Sequence, residues 1–204
     1  MGKREDIIQA AGKAFLEKGF EGASMDYIAQ EAGASKQTVY SHFTGKEDLF
    51  SAVISCKCDA IWQSSRSDGK EDGEVDPEDF PPPEEFLPLL GRMFLAKILE
   101  PDAIAMQRLA ISESERFPEV SQMMFEAGPR KGIAKFRYYL EIQCRKKNLI
   151  IEDTQMAAEL FTDMVKCTPI YTVLMSVEDA PISQELIGKR VDEAVSLFLA
   201  KYGA

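Results

Sequence analysis

Apolar residues along the chain recur at helical spacing rather than in the alternating pattern of β-strands. In the first segment Ile7, Ala11, Ala14 and Phe15 follow the spacing i, i+4, i+7, i+8, which places them on one face of an α-helix. No alternating run of β-branched residues is long enough to predict a strand. The pattern therefore predicts an all-α protein.

Capping residues divide the N-terminal segment into four predicted helices. Gly19 is expected to cap the end of the first helix. Ser24 and Ser35 are expected to cap a second helix and a third helix that runs from Lys36 to about His42. The sequence Thr44-Gly45-Lys46-Glu47 has the spacing of a capping box and opens a long fourth helix.

The remainder of the chain predicts six more helices, after one interruption. The interruption runs from Asp68 to Glu85 and holds nine carboxylates against one lysine. Because such a composition cannot bury a core, we expect an acidic flexible loop at about 66–84. A tract that recruits a basic partner is the alternative. The helices are expected at about 84–100, 102–115, 118–127, 130–147, 153–176 and 183–202.

Three short helices whose last two are joined by a tight turn predict a helix-turn-helix at about 24–43. With Val39 turned to the core and 100° per residue, the third helix presents a polar outward face. This face consists of Lys36, Gln37, Thr38, Tyr40, Ser41 and His42. Its amide, hydroxyl, phenol and ammonium groups are of the kinds that bind base edges and phosphates. Taken alone, the face has a simpler interpretation as a solvent-exposed surface.

The distribution of charge favours the nucleic-acid interpretation. The chain has a net charge of −10, but residues 1–57 hold seven basic and eight acidic side chains. No carboxylate lies between Glu31 and Glu47, whereas Lys36, His42 and Lys46 do. Lys46 also falls in the first turn of the fourth helix, where free backbone N–H groups favour a phosphate.

Several motifs in residues 3–57 have the spacing of a known DNA-binding domain. They are Ala10-Ala11, Phe15-Leu16-Glu17-Lys18-Gly19-Phe20, Ser24-Met25-Asp26-Tyr27-Ile28-Ala29, Ala32-Gly33-Ala34-Ser35-Lys36, Thr38-Val39-Tyr40-Ser41-His42-Phe43 and Gly45-Lys46-Glu47-Asp48-Leu49-Phe50. With them the segment closely resembles the DNA-binding domain of the TetR/AcrR family. The resemblance implies DNA contacts, including phosphates held by Ser24 and Lys46. The DNA-contact candidates are Ser24, Ser35, Lys36, Gln37, Thr38, Tyr40, Ser41, His42 and Lys46.

Two positions depart from the family pattern. Gln37 stands where the family often has a small residue or proline, which leaves the base preference open. Ala34 replaces the more usual valine, which is expected only to loosen the local packing.

The rest of the chain resembles the family's helical ligand-binding and dimerisation domain. The stretch from Arg108 through Ser112-Glu113-Ser114-Glu115-Arg116-Phe117-Pro118-Glu119 to Gly128-Pro129 is similar to its AefR-type branch. The expected domains are therefore a helix-turn-helix domain at 1–60 and a ligand-binding and dimerisation domain at 61–204.

Apolar stripes on the last two helices predict a homodimer interface, and the family resemblance implies the same. The interface candidates are Met156, Leu160, Met164, Tyr171, Ile187, Val191, Ala194 and Phe198. Methionine and aromatic side chains adapt to irregular apolar ligands, although each is more often plain core. The ligand-pocket candidates are Trp62, Met93, Phe94, Met106, Met123, Met124, Phe125 and Phe136.

Other classes of function find little support in the residues. His42 is the only histidine, and no phosphate loop, nucleophile motif or metal-ligand spacing accompanies it. We therefore expect no enzyme, catalytic residue, metal or cofactor, and four ordinary thiols. No long apolar run predicts a membrane span or a signal peptide, so a cytoplasmic location is expected.

The predicted function is that of a transcriptional regulator. We expect a repressor that binds a double-stranded DNA operator of palindromic sequence as a dimer. A small apolar effector would release it. An activator of the same family is one alternative, and a helical interaction module without DNA binding is another.

Overall fold

The computed structural model describes residues 2–64, 80–177 and 182–204, and within them the protein is built from helices. The single extended pairing in this part of the chain is an isolated antiparallel bridge between Leu149 and Gly203. The all-α prediction is confirmed. The helices are α1 (Lys3–Gly22), α2 (Met25–Glu31), α3 (Lys36–His42), α4 (Lys46–Ser64), α5 (Pro83–Ile98), α6 (Pro101–Glu113), α7 (Pro118–Phe125), α8 (Lys131–Arg145), α9 (Thr154–Leu174) and α10 (Gln184–Tyr202), with a π-helical turn at Glu126–Arg130.

Glycine breaks the first helix where the sequence predicts its end. Gly19 has a φ of 71°, a left-handed conformation that side chains with a Cβ rarely adopt. The chain turns there and brings the Phe20 ring against that of Phe15, with the centroids 5.8 Å apart. Phe50 of α4 meets both rings edge-on, at 5.2 and 5.5 Å. These three rings are the centre of the core that supports α2 and α3.

The chain divides into two compact units, and the first is discontinuous in sequence. It comprises residues 1–58 together with 102–129, and the second comprises 59–101 and 130–204. The expected division at residue 60 differs from this, because α6 and α7 belong to the first unit. Met106, Ala110 and Val120 lie in the same apolar core as the helix-turn-helix residues.

The second unit is built around a series of aromatic contacts. Trp62 meets Phe86 edge-on at 5.7 Å, and Phe86 stacks on Tyr139 at 4.1 Å. Burial raises the pKa of the Tyr139 phenol, whose hydroxyl donates to the carbonyl of Pro81 at 3.0 Å. Gln143 is fully buried and donates to the same carbonyl at 3.1 Å. The polar groups carried into this core are therefore paired.

The segment before α5 is only partly described. Most of the expected acidic loop at about 66–84 lies outside the described residues. At its end Phe80 is buried, and α5 begins with Pro83 in the first helical position, where a missing N–H costs nothing. None of the helices in the described ranges is long and apolar enough to cross a membrane.

Candidate nucleic-acid interface

Two serine caps and a tight turn set the relative directions of α2 and α3. The Ser24 hydroxyl accepts from the Tyr27 N–H at 3.1 Å, and the Ser35 hydroxyl accepts from the Thr38 N–H at 3.0 Å. Both predicted caps are confirmed. Between the helices Gly33 takes a φ of 54°, and the Ala34 N–H reaches back to the Ala29 carbonyl at 2.9 Å.

Helix α3 is anchored by two apolar side chains one turn apart. Val39 is 0% exposed and Phe43 is 2% exposed, so both face the core as the spacing predicts. The opposite face carries Lys36, Gln37, Tyr40, Ser41 and His42, all exposed, with Thr38 half-buried beside them. The predicted direction of the polar face is thus confirmed, whereas its contact with DNA stays a prediction.

Several of these polar groups are held by local hydrogen bonds. The Ser35 and Thr38 hydroxyls lie 2.7 Å apart, and the Ser41 hydroxyl donates to the Thr38 carbonyl at 2.7 Å. Such bonds restrict the rotamers of three hydroxyl groups on one short helix. The remaining lone pairs and the exposed Gln37 amide are free of this restriction.

The lysines of the surface are engaged within the protein. The Lys36 ammonium lies 2.7 Å from a carboxylate oxygen of Asp26, and the hydrogen bond and charge of Asp26 raise the pKa of Lys36. The Lys46 ammonium donates to the Glu21 carbonyl at 3.2 Å and lies 4.5 Å from the centre of the Phe20 ring. Lys46 therefore links the start of α4 to the end of α1. The sequence did not predict this contact.

The start of α4 differs from the predicted capping box. The N–H of Thr44 donates to the carboxylate of Asp48 at 2.9 Å, and the Thr44 hydroxyl lies 3.2 Å from the same oxygen. The carboxylate that pairs with Thr44 is thus Asp48 rather than Glu47. Because the helix itself begins at Lys46, Asp48 is its third residue, the position that the motif gives to the carboxylate, whereas Glu47 is its second.

Two basic residues next to this surface were missed by the sequence reasoning. The Lys3 ammonium donates to the carbonyls of Ala32 and Gly33, at 3.0 and 2.9 Å. The Arg4 guanidinium lies 5.3 Å from the centre of the Phe43 ring. The sequence feature that could have identified them is their position in the first turn of α1. Positive charge is unfavourable there, because it opposes the helix dipole.

The ligand-pocket candidates do not form one described group. Trp62, Met93, Phe94 and Phe136 lie in the second unit, and Met106, Met123, Met124 and Phe125 lie in the first. Met106 is buried in the helix-turn-helix core, and Met123 and Met124 pack against it. These three methionines belong to the apolar core that supports α2 and α3 or pack against it, and the ligand pocket stays a prediction. Phe125 is half exposed.

The candidates for the dimer interface divide between the two last helices. On α9, Met156, Leu160 and Tyr171 are 50%, 47% and 56% exposed, and Met164 is half-buried. On α10 the predicted stripe is buried inside the protomer: Ile187, Val191, Ala194 and Phe198. The α10 half of the prediction is wrong, since a buried side chain is not available to a second chain. The exposed apolar residues of α10 are Leu186 and Leu197.

Metal and thiol chemistry adds nothing to this surface. Across the described ranges no group of three or more His, Cys, Asp or Glu side chains is arranged to hold a metal ion. Cys56, Cys58, Cys144 and Cys167 are free thiols.

Comparisons with known proteins agree with this architecture. Residues 7–53 match the model of bacterial regulatory proteins of the tetR family. Residues 85–204 match the C-terminal domain of AefR-like transcriptional repressors. The HTH-type transcriptional activator FasR of Mycolicibacterium smegmatis is 40% identical over 52 residues, which are 26% of this chain and 24% of FasR. The chain thus spans about a quarter of the length of that curated relative.

Solved structures extend the likeness over nearly the whole chain. A TetR-family transcriptional regulator of Mesorhizobium loti matches with a TM-score of 0.72 at 28% identity, over 99% of this chain and 97% of that one. The flavonoid-responsive regulator FrrA matches with a TM-score of 0.71 at 27% identity, over 98% of this chain and 97% of FrrA.

Proposed function

We propose, from the premise that the chain belongs to the tetR family of bacterial regulatory proteins, that it regulates transcription by binding an operator as a homodimer. The observation that carries this proposal is the exposed polar face of α3, held outward by the buried Val39 and Phe43. Proteins of this family are transcriptional regulators rather than enzymes.

The contacts with DNA follow from the chemistry of that face. The major groove is about 12 Å wide and admits an α-helix. The Gln37 amide is suited to a base edge, because it offers a donor and an acceptor together. The capping hydroxyls of Ser24 and Ser35 stand at helix N-termini, where backbone N–H groups attract phosphates. Lys46 has three N–H donors, so it retains donors for a phosphate while bonded to Glu21.

The charge of the whole chain supports selectivity for an operator. Contacts with phosphates supply most of the affinity for nonspecific DNA, and a net charge of −10 opposes them. The sequence from Ala32 to Lys46 holds no carboxylate. The chain's acidity therefore lies outside this segment, which includes the whole of α3. Binding to the chromosome also requires a cytoplasmic location, which is part of the proposal.

Repression and release by a small apolar effector complete the proposal. Its support is the similarity of residues 85–204 to the C-terminal domain of AefR-like repressors and the similarity of the chain to FrrA, a flavonoid-responsive regulator. Activation is the second candidate, because FasR is described as an activator. An effector changes operator affinity only if it binds two conformations unequally, and a coupling of about 1–3 kcal/mol gives roughly 5- to 150-fold.

Helix α4 is the proposed route for this coupling. Asp59 in its later part is bonded to two lysines of α8, Lys131 at 2.8 Å and Lys135 at 2.9 Å. The earlier part of the same helix contributes Leu49 and Phe50 to the helix-turn-helix core. A displacement of α8 on effector binding would thus be carried along a continuous helix to the DNA-binding unit.

The experiment is a fluorescence anisotropy titration of labelled DNA from beside the protein's own gene. Lys46→Ala should weaken binding to all sequences and lower the salt slope of the affinity by about 1. Gln37→Ala should instead change the preference among operator variants. Lys13→Ala removes an exposed lysine from α1 and is the matched control. Parent-like binding by both test variants would overturn the assignment of this surface.

Two further measurements separate the alternatives. Transcription in vitro from the bound promoter distinguishes a repressor from an activator, and the absence of any DNA binding would favour an interaction module. Trp62 is the only tryptophan and is buried in the second unit. Its emission during titration with a flavonoid, followed together with operator release, tests the effector. Emission that changes without release would contradict the proposed coupling.

A further inference from the structure

We infer that Lys3 and Arg4 are positioning residues that hold α3 in place from both of its ends. The inference rests on the proposed function, because α3 is the helix proposed to enter the major groove. Lys3 bonds to the turn before α3, and Arg4 lies against the residue that ends it. Neither residue is assigned a contact with DNA.

The Lys3 ammonium binds the chain just past the C-terminal end of α2. The last carbonyls of a helix have no partners within it and carry its negative dipole. Lys3 donates to the carbonyl of Ala32, the C-cap residue of α2, at 3.0 Å and to that of Gly33, the next residue, at 2.9 Å. These residues form the turn that leads to the Ser35 cap of α3, so the bonds fix the point from which α3 starts.

Arg4 acts at the other end of the same helix. Phe43 is the C-terminal cap of α3, and its N–H closes the last helical bond on the Val39 carbonyl at 3.0 Å. The Arg4 guanidinium lies 5.3 Å from the centre of the Phe43 ring, within the range of a cation–π contact. Consecutive residues of α1 thus contact the turn that precedes α3 and the residue that ends it.

Local helix stability does not account for these two cations. Lys3 and Arg4 occupy the first turn of α1, where the helix dipole disfavours positive charge. Glu5 and Asp6 in the same turn have the favourable sign. The contacts with the α2–α3 turn and with Phe43 supply a reason for lysine and arginine at positions where an isolated helix would prefer acids.

The first test is amide hydrogen exchange of the free, full-length protein. Lys3→Met keeps an unbranched side chain but removes the charge and the donors, and it should speed exchange at residues 33–38 about three- to tenfold. Arg4→Leu should do so at the Phe43 end of α3. Lys3→Arg restores donors and should restore slow exchange. The control is Lys13→Met, which removes an exposed lysine further along the same helix and should change neither region.

The second test is operator affinity as a function of salt. A positioning residue predicts that Lys3→Met lowers affinity about three- to tenfold while the slope of log affinity against log salt stays close to that of the parent. Unchanged exchange together with a slope lower by about 1 would make Lys3 a phosphate contact and overturn the inference. Unchanged exchange and affinity would overturn it as well.

The two readouts keep this inference separate from the proposed function. If the parent binds no operator, the proposed function fails, although faster exchange in Lys3→Met would still show the contact with the turn. If the parent binds its operator but Lys3→Met exchanges like the parent, the inference fails and the proposed function stands.

Discussion

At the scale of single residues, Asp26 restrains the surface that is proposed to bind DNA. Its carboxylate pairs with Lys36 at 2.7 Å, and both side chains are largely exposed. Lys36 must leave this pair before it can bind a phosphate, and the carboxylate itself repels the DNA backbone. An exposed ion pair of this kind is weak, because solvent screens both charges. Asp26→Asn should therefore raise DNA affinity by roughly two- to fivefold, measured by anisotropy at low salt.

A double-mutant cycle separates the pair from the general effect of charge. In the Lys36→Met background the part of the gain that comes from releasing Lys36 should disappear, so Asp26→Asn should have a smaller effect there. Glu31→Gln, at the far end of α2, removes the same charge from an exposed position and is the matched control. Equal gains in both backgrounds would show that Asp26 acts only through repulsion and that its pairing with Lys36 has no role.

The sequence predicted this surface well where a helical period decides, and poorly where long side chains cross between elements. Val39 and Phe43 fix the rotation of α3, so its outward face followed from 100° per residue. Thr44 was different, because Glu47 and Asp48 both lie within its reach and the spacing alone does not choose between them. Lys3 and Lys46 bond to carbonyls 29 and 25 residues away, which no local pattern encodes.

At the scale of elements, α5 and α10 approach each other closely at Gly91. A Cβ on Gly91 would lie 2.7 Å from Cγ1 of Val191, whose side chain is fully buried. Replacement by alanine gains about 1 kcal/mol of helix propensity, but overpacking of a rigid core costs about 1–3 kcal/mol. Gly91→Ala should therefore lower the free energy of unfolding in chemical denaturation, despite the better helix former.

Two further variants test the steric reason. Gly188 lies in α10 with nothing within 4 Å of an added Cβ, so Gly188→Ala should raise stability by about 0.5–1 kcal/mol. Adding Val191→Ala to Gly91→Ala should recover part of the loss, because it removes the methyl groups that clash. If Gly91→Ala and Gly188→Ala stabilise the protein equally, the close approach of the two helices is not as described.

The bounds of the helices in the second half were predicted within about two residues, because capping residues and prolines mark them. The face that each helix buries was harder to predict. Helix α10 has apolar residues on two sides, with Ile187, Val191, Ala194 and Phe198 on one and Leu186 and Leu197 on the other. Its sequence period shows that an apolar face exists, but only tertiary packing selects the side that turns to the core.

At the scale of the whole molecule, the boundary between the units could not be read from sequence. Helices α6 and α7 follow the expected boundary at residue 60, yet they belong with residues 1–58. Phe117 reaches the Phe20 ring, with the centroids 6.5 Å apart, and Arg116 pairs with Glu21 at 2.9 Å. These contacts join residues about a hundred positions apart, so no periodicity within either segment indicates them.

At the same scale, the exposed apolar residues of α9 predict that the protein assembles as a homodimer. Met156, Leu160 and Tyr171 share one side of this helix and are about half exposed. Large exposed apolar patches mark interaction sites, so we expect this side of α9 to contact a second copy of the chain. A two-fold dimer through α9 would give two copies of α3, and such dimers place their recognition helices about 34–36 Å apart. Binding of both half-sites multiplies the affinity of each, because the second contact becomes intramolecular.

Leu160→Asp tests this assembly, since it places a charge in the middle of the exposed stripe. The parent should be a dimer in light scattering at micromolar concentration, and Leu160→Asp should be a folded monomer that has lost most of its operator affinity. Leu89→Asp is the matched control, because Leu89 on α5 is similarly exposed but lies outside the stripe; it should leave both mass and affinity unchanged. A monomeric parent would refute the dimer altogether. A dimeric Leu160→Asp would instead show that the interface lies away from α9. Leu186 and Leu197 would then be the next residues to test, because they are the large apolar side chains that α10 exposes.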